Sequence, residues 1–145
     1  MPEGDTHRQL VEHLSNSVKL RRGGMLCVYI DGVRPFLGKG PPPALGDIRP
    51  DIYAIDEVTK HIIIGEAKSA SDIDNDHTEK QLTGYFEHLA SRPSGELVIA
   101  VPFCSAGTAH RLCLSTRNKL GLKHISFEIS GWFLGRKPFS QVWYG

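Results

Sequence analysis

The sequence predicts an α/β fold with a mixed central sheet flanked by helices. Three observations lead there. Apolar residues recur at helical spacing near the start, a group of short β-rich segments follows, and helical and strand-like segments then alternate to the end. The 145 residues suit one domain spanning 1–145 with a single core, and no internal repeat or linker divides them. With 40% apolar and 23% charged residues, the composition is that of a folded protein.

Each element has its own signal. Over residues 6–18, Leu10, Val11, Leu14 and Val18 form one helical stripe, Asp5 or Thr6 can cap its start, and Gly23-Gly24 follows its end. Residues 25–30 are apolar and β-rich, a strand closed by Asp31-Gly32. Pro35, Gly38, Gly40 and the run Pro41, Pro42, Pro43 make 34–46 a loop. Residues 51–55 and 61–68 read as the two strands of a hairpin whose turn lies at 56–60. Asp76 is expected to cap a helix to about Ala90, with Glu79 completing a capping box and Leu82, Phe86, Leu89 and Ala90 as its stripe. A strand at 96–101 and a helix at 108–120 come next, then short strands at 125–129, 132–134 and 141–144.

Composition narrows the functional classes. Cys27, Cys104 and Cys113 are odd in number and show no CxxC pair, which argues against a disulfide framework or structural zinc and for a reducing compartment. The charged stretch 1–13 is no signal peptide, and no apolar run approaches the ~20 residues of a membrane helix, so a cytoplasmic location without membrane contact is expected. A formal net charge of only +1 speaks weakly against a passive nucleic-acid coat. An enzyme whose acidic centre offsets a basic rim remains compatible with it.

The chemistry concentrates in Arg49-Pro50-Asp51, then fourteen residues, then Glu66-Ala67-Lys68. Strand side chains alternate, so Glu66 and Lys68 share a face with Ile62 and Ile64, while Ala67, Gly65 and Ile63 point the other way. The small Gly65 and Ala67 would let a helix pack closely behind. The hairpin is expected to bring Asp51 beside Glu66 and Lys68. Two carboxylates and an ammonium on one sheet face are costly unless compensated, and a divalent ion compensates the carboxylates. Mg²⁺ prefers such hard oxygens. An exposed hairpin salt bridge is the plain alternative.

These residues resemble the PD-(D/E)XK nuclease superfamily, which includes restriction endonucleases and Holliday-junction resolvases. The resemblance covers about two-thirds of the chain, from Thr6 to about Val101, and implies a restriction-endonuclease-like αβββαβ core. It places the family's aspartate on Asp51, its variable acid on Glu66 and its lysine on Lys68, with the Ala67 carbonyl as a further metal ligand. Mg²⁺ or Mn²⁺ as cofactor, DNA as the expected nucleic acid and a homodimer are what it implies beyond that.

Secondary candidates follow. Some family members carry a glutamate on the first helix, for which Glu12 is the best match; a solvated helix charge is the plain alternative. Gln81, one turn before Tyr85 on the helix after the Glu66 strand, resembles a glutamine found near the site in several subfamilies. Arg21, Arg22, Arg34, Lys39 and Arg49 surround the expected mouth in sequence and are natural phosphate contacts. Asp72, Asp74 and Asp76 imitate a calcium loop, but His77 and Thr83 occupy the positions that need glycine and glutamate. The seven histidines lack ligand spacing and read as structural. Gly38-Lys39-Gly40 is no P-loop, since the flanking Gly and Ser or Thr are missing.

Two kinds of function remain in contention. One is a Mg-dependent nuclease acting on DNA in repair, recombination or defence, with structure-selective or guided cleavage expected because no extra recognition domain is present. The alternative is a catalytically silent nucleic-acid-binding or interaction subunit with the same fold. With the site expected at the surface, truncating Glu66 should leave the fold intact.

Overall fold

The computed structural model describes residues 2–31, 39–135 and 138–145. A first helix, α1 (Pro2–Lys19), leads through a tight turn at Arg21–Gly24 into β1 (Leu26–Ile30). Then come β2 (Ile52–Asp56), β3 (His61–Ala67), α2 (Asp76–Ala90), β4 (Ser94–Pro102), α3 (Ala106–Lys119), β5 (Ser126–Phe133) and β6 (Phe139–Tyr144). The six strands form one mixed sheet in sequential order: β1, β2 and β3 antiparallel, β3, β4 and β5 parallel, and β6 antiparallel to β5.

Burial follows the pattern of each strand. β3 carries Ile62, Ile63 and Ile64 in succession, all buried, as a central strand covered on both faces requires. One face packs Ile62, Ile64, Leu97, Ile99, Phe127 and Ile129 against Leu82, Tyr85, Phe86 and Leu89 of α2 and Ala109 and Cys113 of α3. The other packs Ile52, Ala54, Ile63, Ala67, Val98 and Ala100 against Leu10, Val11, Leu14 and Val18 of α1. Gly65 permits the close approach of α1: a Cβ there would stand 3.2 Å from Leu14 Cδ2 and 3.1 Å from Ile52 Cβ.

Several expectations are refined. The first helix begins at Pro2, before Thr6, and the third at Ala106, before Thr108. The segments 125–129 and 132–134 join into one strand, because pairing with β4 runs unbroken from Ser126 to Trp132. Asn75, not Asp76, caps α2, its side chain accepting from the Thr78 N–H at 2.8 Å. Asp76 is already helical, and the Glu79 carboxylate reaches Lys119 at 3.3 Å instead of closing a capping box. In the expected loop at 34–46, Lys39 and Gly40 pair by backbone with Val28 and Ile30 of β1; Arg34 and the rest of 32–38 lie outside the described residues. Among the described residues, no helix is long and apolar enough to cross a membrane.

Candidate active site

Parallel strands β3, β4 and β5 all end at one edge of the sheet, and α2 and α3 both start there. Pro50 has no N–H to offer a ladder, so the regular pairing of β2 begins after it. The antiparallel register that matches Ile52 with Gly65 then sets Asp51 opposite Glu66. Strand pairing alone therefore brings together residues far apart in sequence.

Hydrogen bonds fix both carboxylates. The Asp51 N–H donates to Glu66 Oε1 at 3.2 Å, and the Ala67 N–H donates to Asp51 Oδ2 at 2.8 Å. Tyr85 of α2 donates its hydroxyl to Glu66 Oε1 at 2.8 Å. From the opposite layer, His7 Nε2 of α1 stands 3.2 Å from Asp51 Oδ2. Lys68, held by its N–H on the Ala100 carbonyl, brings its Nζ to 3.5 Å from Glu66 Oε2. The pairing of Glu66 with Lys68 is buried, unlike the exposed bridge of the plain alternative: Glu66 is 4% and Asp51 9% exposed.

Burial sets the electrostatics. Removal from water, and then the adjacent Asp51 carboxylate, push the Glu66 carboxyl up to about 8; Lys68 and the hydrogen bonds from Tyr85 and Asp51 act the other way. The Tyr85 hydroxyl is raised by burial and then by Glu66, so it stays a neutral donor. His7 is raised chiefly by its hydrogen bond to Asp51, against the opposing effect of burial. Gln81 is buried beside this group, lining a narrow pocket with Glu66, Lys68, Thr78 and Tyr85. Its Oε1 has no hydrogen-bond partner among the described residues.

Not every expected residue arrives here. Glu12 is not brought to the group; it lies half-buried beside Gln9, His13 and Leu134. Five residues separate it from His7, a rotation of about 140° around the helix. Its place is taken by His7, one of the histidines passed over as structural; residues 7, 10, 11, 14 and 18 lie on one stripe, so His7 extends the buried face of α1 toward the sheet edge. Arg21 and Arg22 sit at the other end of the sheet, Arg21 paired with Glu96 and Glu128, and Arg22 with Asp56 at 3.2 Å. Arg49 does flank the site: it is exposed, and its carbonyl oxygen lies 3.5 Å from the Tyr85 hydroxyl. Lys39 is exposed as well, next to the backbone pairing with β1.

No family model, curated protein or solved structure matches this chain. Among the described residues, no three His, Cys, Asp or Glu side chains form a metal-holding cluster. Asp51 and Glu66 provide two carboxylates, and the Gln81 amide oxygen in the same pocket and main-chain carbonyls are further oxygens. This set offers hard oxygens and no thiolate, with an ammonium and a neutral phenol alongside. It can hold a cation, bind a phosphate oxygen and orient a water.

Proposed function

We propose that this chain is a metal-dependent nuclease of the PD-(D/E)XK type, hydrolysing phosphodiester bonds in DNA, with α1 through β4 as its αβββαβ core. The supporting observation is the gathering of Asp51, Glu66 and Lys68 at one buried sheet edge, with Lys68 Nζ 3.5 Å from Glu66. Lys68 alone would balance one carboxylate, and the His7 imidazole on Asp51 is cationic only below its raised pKa. Here a second carboxylate shares the place, and its repulsion helps hold the Glu66 proton.

Mg²⁺ or Mn²⁺ would take the place of the Glu66 proton, held by the carboxylates of Asp51 and Glu66 and the carbonyl of Ala67. When bound, such an ion polarises a phosphoryl oxygen and lowers the pKa of water. The chain's own groups do the rest. Tyr85 and His7 lock the rotamers of Glu66 and Asp51, so neither carboxylate has to reorganise when substrate arrives. Lys68 presents three N–H donors from a stem that is 12% exposed, suited to orient the attacking water or to meet charge developing on the phosphate. Gln81 offers an amide from the same pocket as a second polar contact for that water or phosphate. Arg49 at the rim supplies a positive charge for the backbone of the nucleic acid. Cutting both strands of a duplex would take two copies, the role of a homodimer.

The test is cleavage by the purified chain of single-stranded, duplex, flapped and four-way DNA. Activity with Mg²⁺ or Mn²⁺ is expected to vanish in EDTA and to fall by about a hundredfold or more in Glu66→Gln and Lys68→Ala. Calorimetry should show that Lys68→Ala still binds Mn²⁺. Wild-type rates in either variant, or a requirement for zinc, would overturn the assignment. A protein that binds these DNAs but cuts none would instead be a silent binding subunit.

A further inference from the structure

Two strands away from Lys68, aromatic rings cluster at the same edge of the sheet. Phe103 follows β4, Phe133 ends β5, and Phe139 opens β6 directly opposite Phe133. Phe103 stacks on Phe133 with centroids 4.1 Å apart and planes 28° from parallel. Phe133 stacks in turn on Phe139 at 4.5 Å and 20°. The row therefore runs outward across successive strand ends and finishes on Phe139, which is 56% exposed. Trp143 supports it from beside Phe103 at 5.8 Å, lying over Gly131 so closely that a Cβ there would come within 2.9 Å of its ring.

Position ties this row to the site. Phe127, Ile129, Gly131 and Phe133 alternate onto the face covered by α2 and α3, the face on which Glu66 meets Tyr85. By the β3–β4 register Lys68 is level with Val101, which pairs with Gly131, so Phe103 and Phe133 lie two residues, about 7 Å, further along the strand direction. At about 4.8 Å per strand, the rings at the ends of β4, β5 and β6 stand roughly 5 to 15 Å to the side of it, a span that a few nucleotides cover.

Building on the nuclease reading, we propose that Phe103, Phe133 and Phe139 form a stacking platform, open at Phe139, for unpaired nucleobases a few nucleotides from the scissile phosphate, so that the substrate is a single strand or a frayed or flapped end. Near-parallel rings that end in an open π-face accept another flat ring, and every base has one. Bases within an intact duplex are already stacked on their neighbours and cannot enter such a row. The near-neutral chain charge fits this source of grip, since stacking does not depend on phosphate neutralisation.

The experiment measures binding without cleavage. Fluorescence anisotropy in EDTA compares a labelled single-stranded oligonucleotide with the blunt duplex of the same length, for wild type, Phe139→Leu and Phe139→Trp. Wild type should prefer the single strand, Phe139→Leu should lose about tenfold in that affinity, and Phe139→Trp should retain it. Leucine keeps the apolar volume, and Phe139 is largely exposed, so thermal melts of both variants should match wild type. Equal binding by Phe139→Leu, or equal loss on duplex and single strand, overturns the platform. So does light scattering that shows a dimer of wild type broken by Phe139→Leu, since the rings would then be an interface between copies. The nuclease assignment stands apart: loss of cleavage in Glu66→Gln with no effect of Phe139→Leu sinks the platform alone. Selective single-strand binding with no cleavage of any substrate sinks the nuclease alone.

Discussion

Glu66 answers to opposing demands. Its carboxylate is buried, which disfavours charge, yet it accepts from Tyr85 and Asp51 and faces Lys68, all of which favour it. Removing it is therefore not the harmless surface change that its sequence context suggests: Glu66→Ala strands two donors, at a cost of about 1–3 kcal/mol. Glu66→Gln keeps an acceptor in place and separates chemistry from folding. The folded Glu66 carboxyl holds its proton up to about 8, well above the ordinary 4.5 of an unfolded glutamate. Between those values the folded state binds more protons, so stability without metal falls as pH rises. The raised His7 acts in the same direction, since its contribution is present below the usual 6.5 and lost as pH climbs through its folded value. Urea unfolding in EDTA from pH 5 to 9 should show stability declining for wild type and declining less in Glu66→Gln. Mn²⁺ should restore wild-type stability at the alkaline end but not that of the variant. A flat wild-type profile would mean that the burial of this carboxylate is not costly.

At the scale of elements, periodicity carried most of the information and local chemistry the remainder. Alternation on β3 placed Glu66 and Lys68 together, and the small Gly65 and Ala67 marked where α1 could come close. His7 lay on the same stripe as Leu10 and Leu14 but was hidden, because a polar residue at the end of an apolar stripe reads as its terminus. Its partner Asp51 is forty-four residues away, a contact that only the docking of α1 on the sheet creates. The start of α2 was misplaced by one residue because Asn75 and Asp76 are both good caps. The extended backbone of Asn75, at φ −151° and ψ 169°, decides between them. Asn75→Ala should accordingly lose the bond to Thr78 and about 1 kcal/mol of stability, whereas Asp76→Ala should lose no cap. Chemical denaturation resolves that difference, and the reverse ranking would reject the assigned cap. Since α2 carries Gln81 and Tyr85, fraying at its start would reach the candidate site only after one further turn.

Across the whole molecule, α1 fastens both ends of the sheet with different chemistry. Near its beginning His7 meets Asp51, and just past its end Arg21 bridges Glu96 of β4 and Glu128 of β5 while Arg22 meets Asp56 of β2. Sequence position made Arg21 and Arg22 look like neighbours of the site, since they precede β1 by only a few residues. A strand reverses that inference: β2 carries the chain from Asp51 at one edge to Asp56 at the other, and the arginines attach at the far end. Glu96 and Ala100 are four residues apart on β4, about 13 Å along the strand. That exceeds the ~8 Å over which exposed charges are felt at physiological salt. Stability and chemistry should therefore be separable. Arg21→Met keeps the apolar stem but leaves Glu96 and Glu128, both partly buried, beside each other without their shared guanidinium. It should cost about 1–3 kcal/mol and lower the melting temperature by several degrees. Cleavage per folded molecule, and its metal dependence, should be unchanged at a temperature where the variant is fully folded. Lys68→Ala should do the reverse, abolishing cleavage with a smaller change in melting temperature, because losing Lys68 leaves Glu66 free to stay protonated. If Arg21→Met impaired cleavage at constant folding, the two ends of the sheet would be coupled through α1, and the His7–Asp51 contact would be the place to look for that coupling.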